Sequence, residues 1–350
     1  MSIKSVLGFS AFLILFAACN KNIDYNPAGS WSNSVFIINE GPFPTGSGTI
    51  SAFNRETLEV TNDIFETANG RPLGNVVQSL TVHGDKAFIV VNNANKIEVV
   101  NLEDFKSDTT IEGITLPRYF IGFDDDKGYI SCWDSTVKVI NLQDYSISHS
   151  IRAGTGPDKM EMADNKLFVI NSGGYGIDST ISVINTNDEE NIGRITVGHR
   201  PSGIRKDMNG NIWVLCSGLS GWPTPEITPG KLVCIDPDSQ EILKEIVFPD
   251  SVNHPDNLVI NKEGNTLYYN HPAGIFAFPV SSPSLNDQPL IAATGLIYGI
   301  GYDDKEDIIY AAFPLDFAQN GWVYRYNAAD GSFVGSFMVG IIPNGFWFNE

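Results

Sequence analysis

Three of the 5 histidines, His199, His254 and His271, fall within one stretch of the chain. Neutral imidazole is a common ligand for transition metals. Each of the three, however, stands one or two residues before a proline (Pro201, Pro255, Pro272), which reads more simply as turn chemistry. The carboxylates that could accompany them are few: Glu40, Asp158, Asp178, Glu226, Asp256 and Asp316. The triplet Asp124-Asp125-Asp126 lacks the alternating ligand spacing of a calcium loop. Neither a Gly-x-Ser-x-Gly elbow, a phosphate loop, a dinucleotide fingerprint nor a His-Glu-x-x-His pair occurs. Cys132, Cys216 and Cys234 sit in apolar stretches and read as buried small hydrophobes. An exported protein would permit a Cys216–Cys234 bridge, but the spacing does not demand one. These residue types point to non-covalent recognition rather than catalysis. No enzyme activity, metal or catalytic cofactor is expected.

The elements that position these residues repeat. An apolar strand closing on Asn or Asp recurs as Ile50–Asn54, Ile97–Asn101, Val137–Asn141, Ile181–Asn185, Leu232–Asp236 and Val323–Asn327, with Ile275–Pro279 as a variant. This is strand c of a unit. Strand b precedes it and carries Phe36, Phe88, Tyr129, Phe168, Trp213, Tyr268 or Tyr310 near its start. Strand a opens after Pro72, Pro117, Pro157, Pro201 and Pro255, and strand d follows c. Beta-branched and aromatic residues fill these runs, as half-buried sheets favour. Seven units of about 45 residues span residues 34 to 348, the size of a propeller blade. The first unit lacks strand a, and the chain ends on a lone strand a, Pro343–Phe348. The expected fold is all-β: a seven-bladed propeller of four-stranded antiparallel blades, closed when the C-terminal strand completes the first blade.

That topology sorts the loops by face. The a–b and c–d turns are short and polar, hairpins of a solvated face. The b–c loops 40–48, 172–179, 217–230 and 314–321 are long and carry Phe43, Tyr175, Trp222 and Phe317. Irregular insertions gathered on one side mark a functional face. Trp222 could alternatively form a local core for its own loop. With the d–a connections, which emerge on the same side, the expected ligand-binding set is Phe43, Arg71, Arg118, Tyr119, Trp133, Tyr175, Arg200, Trp222, Asn257, His271, Tyr298, Phe317 and Asn344. Rings supply contact area, while Arg and amides supply directed hydrogen bonds.

The N-terminus reads as an address. A basic start at Lys4, an apolar run from Val6 to Phe16 and small residues before Cys19 suit a signal peptide of residues 1–18 with lipidation at Cys19. The apolar run is too short to span a bilayer. Residues 19–33 then form a tether and 34–350 the propeller. Asn20 in place of Asp favours outer-membrane attachment. The 350 residues carry 22 Lys+Arg against 41 Asp+Glu, a net charge of −19. Such acidity argues against a sequence-independent hold on nucleic acid or anionic lipid. The 42% hydrophobic content argues against disorder.

The stretch Phe16-Ala17-Ala18-Cys19 resembles a bacterial lipobox. Leu167–Asn171 and Phe88–Asn92 resemble the strand motif of YncE-like propellers, named for Tyr-Val-Thr-Asn. Lipobox and propeller together resemble the cell-surface propeller lipoproteins of Bacteroidetes, including BtuG-type proteins. That resemblance implies capture of vitamin B12 (cobalamin) or a related corrinoid, and its delivery to a TonB-dependent outer-membrane transporter. Two other readings stay open: a scaffold or binding protein for another nutrient or partner, and a metal-dependent hydrolase like the propeller lactonases. Into the latter's metal cage Glu40, Asn257 and Asn344 could be fitted only with difficulty.

Overall fold

The computed structural model describes Trp31 and residues 33–349. The signal segment, Cys19 and most of the tether lie outside the described residues. Seven four-stranded antiparallel sheets form the ring. Their a strands are Pro343–Phe348, Val77–His83, Pro117–Gly122, Pro157–Ala163, Pro201–Lys206, Asp256–Ile260 and Gly299–Asp303, in blades 1 to 7. Each a strand touches the a strands of both neighbouring blades, so the seven line a central channel.

The Asn or Asp that closes strand c has a defined task. In Asn54, Asn101, Asn141, Asn185, Asp236 and Asn327, the side-chain oxygen accepts the backbone N–H two residues on. This Asx turn starts the c–d hairpin. Four residues after the Asx, the chain turns through a left-handed residue: Leu58, Phe105, Tyr145, Glu189, Gln240 or Gly331. The repeated motif is therefore a turn signal as much as a strand signal.

Buried apolar side chains fall into seven clusters, one at each seam between neighbouring blades. Strands b and c are apolar on both faces because both faces are covered. At the seam between blades 2 and 3, for example, Phe88 stacks on Phe120 with ring centroids 3.9 Å apart. Cys132, Cys216 and Cys234 are free thiols within the seams. Burial pushes the Cys234 thiol up to about 12 and the other two further in the same direction.

Two expectations need correction. Pro72 does not open a strand. A short helix, Ile64–Asn69, leads from blade 1 to blade 2, and strand a starts only at Val77. The helix drops Ile64 and Phe65 into the seam between blades 1 and 2 and ends on left-handed Gly70. The folded unit also begins before Ser34. Trp31 is buried, its ring centroid 6.2 Å from that of Phe36 and 6.0 Å from that of Phe105.

Closure is covalently remote and locally dense. Strand Pro343–Phe348 pairs with Ser34–Asn39 to complete blade 1. Arg55, in the c–d turn of blade 1, donates Nε to Asp303 Oδ2 at 2.7 Å and Nη1 to the Asn349 carbonyl at 2.8 Å. Both Arg55 and Asp303 are buried. Removing one partner of a buried pair strands the other charge. Asp303→Ala is expected to destabilise the domain by about 3–5 kcal/mol in equilibrium urea unfolding. A loss below about 1 kcal/mol would show that this pair behaves like an exposed one.

Candidate functional site

Six of the seven a strands break register with strand b near their first residues. The unpaired residues are Gln78, Arg118, Asp158 with Lys159, Ser202, Asn257 and Asn344. A bulge inserts an extra residue and re-aims its side chain. Here every bulged residue is polar, and all of them line the channel or its mouth on the long-loop face. Blade 7 has no bulge and supplies Tyr298 from just before its strand. The corner that starts the strand is shared by four blades. A left-handed residue, Leu116, Gly156, Arg200 or Ile342, precedes the strand-opening proline. Proline suits that place because it brings no N–H to leave unpaired.

The re-aimed side chains form an almost continuous hydrogen-bonded belt. Arg118 Nη1 donates to Gln78 Oε1, and Arg118 Nε donates to Asp158 Oδ2 at 3.0 Å. Trp133 Nε1 donates to the same Asp158 oxygen at 3.0 Å, and the Arg118 guanidinium lies 4.0 Å over the Trp133 ring. Lys159 Nζ donates to the Ser202 carbonyl at 2.9 Å and to Asn257 Oδ1 at 3.3 Å. Asn257 Nδ2 donates to the Tyr298 carbonyl at 3.1 Å. Glu40 joins the ends: it accepts from Tyr298 OH at 3.4 Å and from Asn344 Nδ2 at 2.9 Å. Asn344 Nδ2 also reaches the Gln78 carbonyl at 3.3 Å.

The cavity above this belt measures about 350 Å³. Its electrostatics are tuned by burial. Desolvation holds the Glu40 carboxyl above the ordinary carboxylate range, against the pull of Asn344, Arg118 and Tyr298. Desolvation likewise holds the Lys159 ammonium below its ordinary range, while Asp256 and Asp158 pull the other way. Burial and then the Glu40 charge push the Tyr298 phenol up, so it stays a neutral donor.

Of the residues expected from the sequence, Arg118, Tyr119, Trp133, Arg200, Asn257, Tyr298 and Asn344 share this cavity. Phe43, Tyr175, Trp222 and Phe317 stand on the b–c loops above it. Trp222 is 59% exposed, so it is not the core of its loop. Tyr175 packs edge-on against Trp133 and Phe317 edge-on against Tyr298, which couples the rim rings to the belt. His271 lies aside, with His254, on a neighbouring cavity of about 540 Å³. Arg71 is not at the mouth. It is held by the buried Glu98 carboxylate and Ser107, with its guanidinium 5.0 Å over Phe65.

Sequence reasoning missed Gln78 and Ser202. The usable signal was the position after the strand-opening proline, which holds Arg118, Asp158, Ser202 and Asn344. His271 Nδ1 accepts the Ala273 N–H within its own turn, while His199 bonds Thr228 Oγ1 and His254 bonds the Ser217 carbonyl of the long b–c loop of blade 5. Asp124 accepts the Asp126 N–H within its turn, and Asp126 accepts from Gln143 Nε2 of the c–d turn of the same blade. Among the described residues, no three or more His, Cys, Asp or Glu side chains are grouped to hold a metal ion. Glu40 and Asn344 do meet, but Asn257 Oδ1 already faces the Lys159 ammonium.

The model of a family described as "Domain of unknown function (DUF5074)" matches residues 33–349. The chain belongs to the DUF5074 family. None of the functionally curated proteins compared matches this member. Its fold is similar to that of a quinonprotein alcohol dehydrogenase-like protein from Bacteroides thetaiotaomicron, with 13% identity and a TM-score of 0.72 over 91% of this chain and 79% of that one. A functionally unknown protein from Desulfotomaculum acetoxidans is similar at 14% identity and a TM-score of 0.68, over 91% of this chain and 99% of that one. The computationally designed Ika8 protein is similar at 12% identity and a TM-score of 0.59, over 92% of each chain. These likenesses establish the propeller fold of the DUF5074 chain.

The raised Glu40 carboxyl has a sign that can be checked. Its folded state holds the proton to higher pH than its unfolded state, so stability falls as pH rises from the ordinary carboxylate range through the folded value. Glu40→Gln keeps an acceptor for Asn344 and removes that loss. The variant is expected to gain stability relative to the parent between about pH 4 and about pH 8, measured by urea unfolding at both. A stability difference that does not change with pH would contradict a buried, raised Glu40.

Proposed function

We propose that this chain is a surface lipoprotein of the outer membrane. In this reading it captures a large polar nutrient, with cobalamin the leading candidate, and passes it to a TonB-dependent transporter. The observation that carries the reading is the convergence on one face of the polar belt and the exposed rings Phe43, Tyr175, Trp222 and Phe317. A ligand rimmed by amides needs donors and acceptors held in place, and it needs flat apolar area to lie on. The belt offers the first and the rim the second. The mouth cavity is at the small end for drug-sized ligands, so cobalamin would rest across the face with one projecting group entering the mouth.

The fold also bears on presentation. Asn33 and Trp31 meet Arg55, Lys305 and Asn349, which belong to the short-turn face. A lipid on Cys19 would therefore pull on the face opposite the belt. The segment from Cys19 to Trp31 spans at most about 40 Å when extended, comparable with the width of a domain this size. That reach lets the long-loop face turn outward for capture or down onto a transporter.

A rigid ring of side chains locked to one another loses little freedom on binding, which favours tight association. The soluble domain, residues 31–350, is expected to bind cobalamin in isothermal titration calorimetry. Tyr175→Ala and Trp222→Ala are each expected to weaken it at least about tenfold, as exposed aromatic anchors do. Absence of heat at micromolar protein would reject cobalamin. Co-purification with a transporter despite that result would leave a carrier of another nutrient.

A further inference from the structure

Below the belt, the channel continues into a cavity of about 390 Å³. It shares Gln78, Tyr119, Lys159, Asn257 and Asn344 with the mouth. It shares Arg205, Val259, Ile300, Phe346 and Trp347 with a further cavity of about 580 Å³ at the opposite mouth. The three spaces are therefore stacked along the propeller axis, and the middle one adjoins both ends.

Two cations on neighbouring blades line this middle space, Lys159 of blade 4 and Arg205 of blade 5. Neither forms an ion pair among the described residues. Lys159 spends two of its three N–H donors on neutral oxygens, the Ser202 carbonyl and Asn257 Oδ1. Arg205 donates Nη1 to the carbonyl of Ile204 at 2.7 Å and brings further donors of its planar fork. The remaining wall is largely apolar and aromatic, with Tyr119, Met160, Phe346 and Trp347.

Half-buried cations without a direct anionic partner are costly to keep, and the cost falls when an anion arrives. Burial holds Lys159 below its ordinary range, and the charge of Arg205 adds to that effect. Asp256 and Asp158 pull on Lys159, and Arg205 acts on Glu161, but none of these carboxylates forms a direct ion pair with either cation. Asp158 is committed to Arg118 and Trp133, and Asp256 lines the mouth rather than this space. Burial holds the Glu161 carboxyl above its ordinary range, against the pull of Arg205 and Lys206. Seven blades thus enclose a small space with two under-used cations at one side and an apolar wall around them.

We infer that the central channel binds a small organic carboxylate, its anionic head on Lys159 and Arg205 and its apolar body against Tyr119, Met160, Phe346 and Trp347. A guanidinium fork fits a carboxylate, and an adjacent ammonium adds a point charge. The volume suits a compact aromatic or short-chain acid. This site lies beneath the face proposed for the larger nutrient and does not depend on that proposal.

Benzoate, acetate and inorganic phosphate serve as probes, titrated to about 10 mM, a range that detects millimolar affinity. With methyl-labelled methionine, the Met160 resonance, assigned through Met160→Leu, is expected to shift on adding benzoate. Acetate and phosphate should bind at least tenfold more weakly, because neither fills the apolar wall. Arg205→Gln and Lys159→Met are each expected to weaken benzoate at least tenfold. A silent Met160 methyl, phosphate binding as well as benzoate, or benzoate binding unchanged in Arg205→Gln would each overturn the site. If Lys159→Met does not fold, Arg205→Gln and the Met160 signal decide alone.

Discussion

Pairing of Pro343–Phe348 with Ser34–Asn39 brings together the two ends of the described chain, and the channel is assembled around that joint. Asn344, Phe346 and Trp347 come from the closing strand, while Glu40 follows directly on the strand it pairs with. The hydrogen bond from Asn344 to Glu40 is thus both a part of the polar belt and a report that the ring is shut. On the other face, Arg55, Asp303 and Asn349 fasten the same seam. An unclosed ring would expose the edge of Ser34–Asn39 in blade 1 and the seam face of blade 7, and it would remove one side of the channel.

Closure alone would place backbone at the mouth, not chemistry. In a regular strand, side chains alternate between faces, and both faces of a blade are occupied by the neighbouring seams. The bulges resolve this conflict. Each leaves a residue out of register, so that its side chain leaves the seam and enters the channel. The lost ladder bonds are offset by side-chain bonds between blades, such as Arg118 to Asp158 and Lys159 to Ser202 and Asn257. Because these bonds cross blades, the belt ties neighbouring blades together where the ligand would sit. In the proposed function, recognition and cohesion would be supplied by the same groups.

Much of the architecture was legible because its signals are local. The closing Asn or Asp of strand c is an Asx turn repeated in six blades, so it recurs by physical need. Loop lengths then assigned the faces, and the lone final strand gave closure. What was not legible depends on distant partners. Arg71 looked like a rim cation, but its carboxylate, Glu98, lies on strand c of the same blade and draws it away. The helix Ile64–Asn69 is too short to announce itself by periodicity and is held by burial of Ile64 and Phe65. Within the belt Gln78 and Ser202 escaped, because bulged residues share a position and not a type: Gln, Arg, Asp, Lys, Ser and Asn all serve.

The account's central claim is that recognition belongs to the long-loop face. Hydrogen–deuterium exchange of the soluble domain with and without saturating cobalamin reads this most directly. The account predicts slower exchange in loops 40–48, 172–179, 217–230 and 314–319, with the a–b and c–d turns of the opposite face unchanged. Protection confined to those opposite turns, or an unchanged pattern throughout, would contradict it.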